Sequence, residues 1–230
     1  MIKAILFDFN GVIIDDEPIQ MRAYQEILGK EGIALTEEDY YSCLGMDDRT
    51  FVEEMYRRAD KKPETNKVLE ATLAKTAKWR ELIADELPLF AGVVDFIKKM
   101  ENDFALGIVS MAKREEIEFV LESAGLRDCF SVIISAEDVE NCKPDPECYL
   151  KGFNALDSYR IKREHLPMVH RECLVIEDSP PGIVSGKTAG LKTLGITNTV
   201  PAEELRAAGA DAVAKNLDDW MPGSIRGVFV

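Results

Sequence analysis

The chain has 230 residues, of which 46% are hydrophobic and 30% are charged, and its formal net charge at pH 7 is −14. This length fits one large domain or a core with a smaller inserted domain, and this composition excludes a membrane-embedded or disordered protein. A polyanion gains nothing from releasing the counterions of a nucleic acid, so we expect no nucleic-acid partner and no binding to anionic membranes.

The cysteine pattern indicates a reducing compartment. The five cysteines are an odd number and no two form a C-x-x-C pair, which is typical of reduced thiols. The first residues contain no long apolar stretch followed by a cleavage signal, so we expect no signal peptide and a cytoplasmic location. The sequence leaves the oligomeric state open.

Short apolar segments along the chain have the pattern of strands buried on both faces. They cover residues 3–9, 104–110, 131–135, 173–178 and 192–196. Helical patterns follow several of them, at residues 114–124, 146–153 and 181–189. This alternation predicts an α/β protein with a parallel, Rossmann-like sheet, whose ligands bind at the carboxyl ends of the strands.

A helical segment interrupts this alternation after the first strand. Apolar residues recur at three- and four-residue spacing in residues 18–28, 36–43, 49–58 and 63–84, with Thr36 and Asp39 forming a capping pattern. Prolines mark both ends of the segment and predict hinges at residues 15–18 and 86–88. We therefore expect an all-helical cap at residues 16–86, inserted into a core of residues 1–15 and 87–230.

One later segment, residues 154–171, lacks a clear pattern. It carries both histidines of the chain, His165 and His170, whose spacing does not suit a metal site. We expect it to be a surface loop with a short helix.

Polar motifs stand where the predicted strands end. Asp8-Phe9-Asn10-Gly11 follows the first strand, and Ser110 ends the second. The later motifs are Lys143-Pro144-Asp145-Pro146 at a helix start and Glu177-Asp178 at the end of the fourth strand. Each alone has an ordinary interpretation as a turn, a cap or a helix-terminal charge. Because carboxyl ends of parallel strands share one edge, we expect the motifs to form one site.

In this order and spacing, the motifs resemble those of the haloacid dehalogenase superfamily, and within it the β-phosphoglucomutase-like phosphatases with a helical cap. The resemblance covers essentially the whole chain. It implies a Mg²⁺-dependent enzyme that removes or transfers the phosphoryl group of a small phosphorylated metabolite.

The resemblance also implies the nucleophile and the metal ligands. Asp8 is expected to attack phosphorus and form an aspartyl-phosphate, since a carboxylate with the ordinary pKa of about 3.9 is ionised at neutral pH. Mg²⁺ takes oxygen ligands, and the implied ones are Asp8, the backbone carbonyl of Asn10 and Asp178, with Glu177 in or near this set.

The phosphate-binding residues follow in the same way. Ser110 is expected to hold a phosphate oxygen through its hydroxyl, and the N–H groups of Met111 and Ala112 to point to the phosphate from a helix N-terminus. Lys143 would balance the charge of the group in transfer. Gly11 would let the turn after the nucleophile close against the ligand.

The sequence departs from the family at two positions. The family usually has aspartate where this chain has Asn10, and that aspartate protonates the leaving oxygen and activates water, a role that an amide does not fill. Positioned acid–base catalysis is worth about 10²–10⁴ in rate. In related chains the cap begins D-S-E-P-L-H, whereas residues 15–20 here read D-D-E-P-I-Q and Gln20 replaces the histidine. We interpret both changes as one retuned, slower site suited to acyl or aryl phosphates, with Gln20 among the expected substrate-binding residues. The alternative is that Asn10 is an engineered substitution.

The loop at residues 44–49 (L-G-M-D-D-R) matches the substrate-facing loop of the family's cap. Gly45 would allow a close turn, and Arg49 is expected to bind a second anionic group of the substrate. The alternative is that Asp47 and Asp48 simply begin a helix.

The leading hypothesis is a cytoplasmic Mg²⁺-dependent phosphatase or phosphotransferase whose substrate the sequence does not identify. One alternative is a catalytically silent protein that binds a phosphorylated metabolite. Another is a phosphonate hydrolase, which needs a cap lysine of low pKa for a Schiff base. None of the lysines in or near the cap has an obviously apolar setting; these are Lys30, Lys61, Lys62, Lys67, Lys75 and Lys78.

Overall fold

A parallel sheet organises the chain. The structure is a computed structural model and describes residues 1–218 and 220–230. Its six strands are β1 (Ala4–Phe7), β2 (Ala105–Val109), β3 (Val132–Ile134), β4 (Cys173–Glu177), β5 (Lys192–Ile196) and β6 (Ala212–Ala214), in the order β3-β2-β1-β4-β5-β6. The α/β class and the five predicted strands are confirmed. The sequence analysis does not predict β6, which has three half-buried residues and no continuous apolar run.

Helices connect the strands and form the inserted segment. They are α1 (Glu17–Lys30), α2 (Glu37–Tyr41), α3 (Asp48–Arg58), α4 (Thr65–Leu82), α5 (Val93–Met100), α6 (Arg114–Ser123), α7 (Glu147–Ile161), α8 (Pro180–Thr188), α9 (Ala202–Ala207) and α10 (Pro222–Val228). Short 3₁₀ helices lie at Arg127–Cys129, Ala136–Asp138 and His170–Glu172. Within the described residues, no helix combines the length and the apolar character needed to cross a bilayer.

The central strand β1 is buried on both faces. Ile5 and Phe7 belong to one apolar cluster, which includes residues of α5 and α6, and Ala4 and Leu6 belong to another, which includes residues of α7. Alternate side chains of a strand point to opposite faces, so the continuous apolar run in the sequence reflects helices packed on both sides.

The helices α1–α4 bury side chains of their own. Tyr24, Leu28, Phe51, Met55 and Val68 form part of a third apolar cluster, separate from those on the sheet. The two connections to the sheet run side by side, since the N–H of Asp15 donates to the carbonyl of Pro88 at 2.6 Å. We use the name cap for the residues of α1–α4 and core for the residues around the sheet; that they form two domains with hinges between them stays a prediction.

The predicted loop at residues 154–171 is partly wrong. Helix α7 continues to Ile161, because Tyr149, Phe153 and Leu156 extend one buried stripe along the helix onto the sheet. The two histidines lie beyond this helix and are exposed, as predicted.

The strand order places a crevice next to β1. Connections from β1 lead through β2 to β3 on one side, whereas β4, β5 and β6 lie on the other. Such a reversal of strand order leaves an opening at the carboxyl ends of the two neighbouring strands, here β1 and β4.

Candidate active site

Sheet register brings the first and last motifs together. Phe7 of β1 pairs with Ile176 of β4, and the N–H of Asp8 donates to the carbonyl of Ile176 at 2.9 Å. Asp8 and Glu177 therefore lie side by side at the end of the sheet. Both are buried.

A buried lysine joins these two carboxylates. The Lys143 Nζ lies 3.0 Å from Oδ1 of Asp8 and 2.6 Å from Oε1 of Glu177. Its third contact is the carbonyl of Val109, at 3.4 Å. The Lys143 side chain is 2% exposed, and its ammonium is held in place by groups at the ends of three strands.

The carboxylate of Glu177 is fully occupied by the protein. Its Oε1 accepts from Lys143 and from the Tyr149 hydroxyl, at 2.6 and 2.9 Å. Its Oε2 accepts from the N–H groups of Asp178 and Ser179 and from the Ser179 hydroxyl, at 3.0, 3.1 and 2.9 Å. Glu177 thus accepts five hydrogen bonds within the protein, and its expected place in or near the metal-binding set stays a prediction.

Asp178 faces the turn after Asp8. Its Oδ2 accepts a hydrogen bond from the Thr199 hydroxyl. Gly11 has a φ of +72°, and a Cβ at this position would lie 1.8 Å from Oδ2 of Asp178. Only glycine therefore allows both the left-handed turn and the approach of this carboxylate.

Buried charge dominates the electrostatics of the site. Burial and the neighbouring Glu177 raise the pKa of Asp8 to about 7, against the opposing effect of Lys143. Burial and the same neighbour raise the pKa of Asp178 well above its usual range. For Glu177, burial is outweighed by Lys143, which lowers the pKa. Burial and the Glu177 charge thus oppose ionisation of Asp8, and the positive charge of Lys143 favours it.

The implied Mg²⁺ fits the residues present. Asp8, Glu177 and Asp178 bring one oxygen each to within 4.8 Å of one another. Two of these carboxylates, Asp8 and Glu177, share one ammonium, that of Lys143. Carboxylate oxygens and excess buried negative charge suit a hard divalent cation.

Ser110 stands at the end of β2, as predicted, and is 1% exposed. Its Oγ accepts from the N–H of Ala112 at 3.1 Å and lies 3.5 Å from Oδ1 of Asn10. Ser110, Met111 and Ala112 all line the cavity described below. Helix α6 begins only at Arg114, so Met111 and Ala112 lie in the bend before the helix and not in its first turn.

Asn10 and Gln20 share one unexpected partner, Asp16. This residue is fully buried, and its carboxylate accepts from the Asn10 amide at 2.9 and 3.1 Å, from the Gln20 amide at 2.9 Å and from the Trp79 indole at 2.7 Å. Asp16 precedes α1 but does not cap it, because its carboxylate turns to these donors instead. Burial raises the pKa of Asp16, while the three hydrogen bonds oppose that effect. Both amides thus supply donors to one buried carboxylate.

A cavity opens from Asp8 toward the cap. Its core half is lined by Asp8, Asn10, Ser110, Lys143 and Asp178. The cap half is lined by Glu17, Gln20, Tyr24, Gly45, Asp48 and Lys75, together with Glu116 of α6.

The cap loop reaches the core at Gly45. This residue has a φ of +86°, and a Cβ there would lie 3.1 Å from Cβ of Lys143. Arg49, in contrast, is not in the cavity. Its side chain is 73% exposed and pairs with Glu53, one turn along the same helix, at 2.9 Å. The structure therefore does not place Arg49 where a substrate contact is expected, and the alternative role of Asp47 is seen, since it caps α3.

A buried ion cluster joins the cap to the core, and the sequence does not predict it. Lys75 of α4 lies 2.8 Å from Asp48 of α3 and 3.3 Å from Glu116 of α6. Tyr24 donates to Asp48. Burial alone would lower the pKa of Lys75, but Asp48 and Glu116 outweigh it and raise the pKa. The residues belong to different helices, so no local pattern signals their contact; the only hint is that they are charged residues on apolar helix faces.

A further residue that the sequence analysis did not single out is Glu17, which lines the cavity and accepts from the Tyr40 hydroxyl. Burial and the adjacent Asp16 carboxylate raise its pKa to about 8.

Comparison with known proteins agrees with this geometry. The family model described as haloacid dehalogenase-like hydrolase matches residues 5–196. The chain belongs to this family. It is 26% identical to the phosphorylated carbohydrates phosphatase of Thermotoga maritima over 93% of this chain and 94% of that protein.

Solved structures share the fold. The β-phosphoglucomutase of Clostridium difficile superposes with a TM-score of 0.85 over 100% of this chain and 97% of that one, at 22% identity. A mutant of CbbY from Rhodobacter sphaeroides, in complex with xylulose-(1,5)bisphosphate, superposes with a TM-score of 0.79 over 95% and 96% of the two chains, at 25% identity.

Proposed function

We propose that this hydrolase is a Mg²⁺-dependent phosphatase of small phosphorylated metabolites that works through an aspartyl-phosphate on Asp8. The observation that carries the proposal is the convergence of Asp8, Ser110, Lys143 and Asp178 on one cavity at the point where the strand order reverses. The similarity to a phosphatase of phosphorylated carbohydrates over nearly the whole chain supports a sugar or polyol phosphate as substrate.

The proposed reaction begins at Asp8. Its carboxylate oxygen forms a bond to phosphorus while the bond from phosphorus to the leaving oxygen breaks, and the leaving oxygen takes up a proton from solvent water. A water molecule then attacks phosphorus and passes its proton to solvent, while the bond from phosphorus to the Asp8 oxygen breaks, which releases phosphate and restores the carboxylate. Lys143 is placed to keep Asp8 oriented and to offset the charge of the phosphoryl group, and Ser110 to hold one of its oxygens.

The proposed Mg²⁺ ligands are Asp8, Asp178 and the backbone carbonyl of Asn10. When bound, the ion supplies positive charge that offsets the repulsion between Asp8 and the phosphate. We place Glu177 outside this set, as the residue that positions Lys143, because its two oxygens already accept five hydrogen bonds. Thr199 orients Asp178.

The expected rate of turnover depends on Asn10. Its amide donates to Asp16, so the residue that protonates the leaving group in relatives is here tied into a structural hydrogen-bond network. We therefore expect slow turnover of substrates with poor leaving groups.

Two alternatives differ in their support. A silent binding protein would share the whole site and differ only in turnover. A phosphonate hydrolase would need a lysine of low pKa in the cavity, but Lys75, which lines it, has a raised pKa because Asp48 and Glu116 hold its proton. The structure thus favours phosphate monoesters over phosphonates.

All five cysteines are unpaired thiols, which supports the expected cytoplasmic location.

The decisive test is phosphate release from acetyl phosphate and p-nitrophenyl phosphate with and without Mg²⁺. We expect release by the native chain that is lost on chelation, and a loss of at least about 10³-fold in Asp8→Asn, which removes the nucleophile. The matched control is Asp128→Asn at an exposed position far from the cavity. Binding of Mg²⁺ and phosphate without any release would favour the silent protein.

A further inference from the structure

Among the residues that the structure describes, three buried oxygens of residues that line the cap half of the cavity accept no hydrogen bond. They are Oε1 of Gln20, Oδ2 of Asp48 and Oε2 of Glu116. Gln20 is 5% exposed and Glu116 is fully buried. Native proteins leave few buried polar groups unpaired, so these three oxygens are candidates to accept hydrogen bonds from a ligand.

The direction of the Gln20 amide is set by its neighbour. Its Nε2 donates to Oδ2 of Asp16 at 2.9 Å. A carboxylate accepts only, so the amide nitrogen must face Asp16 and the amide oxygen must face away from it. The free group at this position is therefore an acceptor.

The cations of the same region are already engaged. Lys75 Nζ binds Asp48 and Glu116, at 2.8 and 3.3 Å, and lies over the ring of Tyr24. Lys113 donates to the carbonyl of Thr72 and the hydroxyl of Thr76. The Lys113 ammonium also lies 3.5 Å from Oδ2 of Asp48, without making a hydrogen bond to it.

Arg49 points to solvent and pairs with Glu53. Among the described residues of the cap half, acceptors are thus free and the lysines are not. A second phosphate there would face the carboxylates of Asp48 and Glu116 without a cation of its own.

We propose that this half of the cavity selects a monophosphate whose body is polyhydroxylated and carries no second anionic group, with Gln20, Asp48 and Glu116 as specificity-determining residues. The proposal rests on the proposed function, since it assumes that the phosphoryl group lies at Asp8. Sugar or polyol hydroxyls donate to the three free oxygens, whereas a distal phosphate has no donor to offer them. The CbbY mutant, which has the same fold, is in contrast found in complex with a bisphosphate.

The first test compares two ligands with the same body. Binding of glucitol 6-phosphate and glucitol 1,6-bisphosphate to the native chain is measured by calorimetry with Mg²⁺ present, a readout that does not need turnover. We expect the monophosphate to bind at least about tenfold more tightly, the effect of one charge-assisted hydrogen bond. Equal or tighter binding of the bisphosphate overturns the proposal.

The second test uses a matched pair of variants on α6. Glu116→Gln places an amide at the cavity, and Glu122→Gln makes the same change at an exposed position of the helix. We expect the ratio of affinities for glucitol 6-phosphate and inorganic phosphate to fall about tenfold in Glu116→Gln only. An unchanged ratio in a folded Glu116→Gln overturns the assignment. If this variant melts early, Asp48→Asn replaces it with the same expectation.

Binding of inorganic phosphate distinguishes a failure of this inference from a failure of the proposed function. Binding of phosphate without a preference for the polyol monophosphate overturns this inference and leaves the proposed function standing. Failure to bind inorganic phosphate with Mg²⁺, together with no release from p-nitrophenyl phosphate, overturns both.

Discussion

The two halves of the cavity differ in how far their polar groups are paired by hydrogen bonds. In the core half, Glu177 accepts five hydrogen bonds and Lys143 has three partners. In the cap half, Gln20, Asp48 and Glu116 each keep one oxygen free. A saturated network is rigid and holds its geometry without a ligand, whereas free acceptors are satisfied only when a ligand is bound. The difference fits the two proposed roles, chemistry in the core half and substrate recognition in the cap half.

Asp16 lies at the junction of the two halves. It accepts from Asn10 of the core and from Gln20 and Trp79 of the cap. Asn10 of the core half and Gln20 and Trp79 of the cap half thus share one buried acceptor, which couples the two halves.

The largest expected effect tests this coupling. Asn10→Asp alone places two buried carboxylates about 3 Å apart, which do not both ionise. We expect a gain in turnover of up to about 10²–10⁴ only when Asn10→Asp is combined with Asp16→Ser, the residue of related chains. The four chains of the double-mutant cycle, assayed with a sugar phosphate, give the coupling. Equal gains in Asn10→Asp with and without Asp16→Ser would show that the two positions are independent.

The next effect tests the rigidity of the core half. Lys143→Met leaves Asp8 and Glu177 buried without a cation, which costs about 3–5 kcal/mol of unfolding free energy. Urea denaturation measures this loss. Lys151→Met, an exposed change on α7, serves as the control and is expected to stay within about 0.5 kcal/mol of the native chain. A loss below about 1 kcal/mol in Lys143→Met would contradict the view that this half is held by its ion pairs.

The smallest expected effect tests whether Asp178 belongs to the proposed Mg²⁺ ligands. Thr199→Val removes the hydroxyl that orients Asp178 while keeping the shape of the side chain. We expect Mg²⁺ affinity to fall about 10–100-fold, the usual result of losing a hydrogen bond to a metal ligand. Calorimetric titration with Mg²⁺ measures it, with Thr197→Val in the same loop as the control. If affinity is unchanged, Asp178 is held by other groups or does not bind the ion.

The sequence alone determined the core half of the site. Asp8, Ser110, Lys143 and Asp178 follow apolar strands or open a helix, and parallel strands end at a common edge, so a linear pattern predicts their convergence. The same reason applies to the inserted helices, to the family resemblance and to the interpretation of Asn10 and Gln20. Each depends on residues that are close together in the chain.

Only the tertiary structure decided the cap half. Lys75, Asp48 and Glu116 come from three helices in two parts of the chain, and their contact depends on how the cap packs on the core. The outward direction of Arg49, the full occupation of Glu177 and the role of Asp16 are likewise choices among side-chain partners. A sequence pattern states which face of an element is apolar, but it does not state which polar group lies across the interface, and that partner decides the charge, the free acceptors and the ligand.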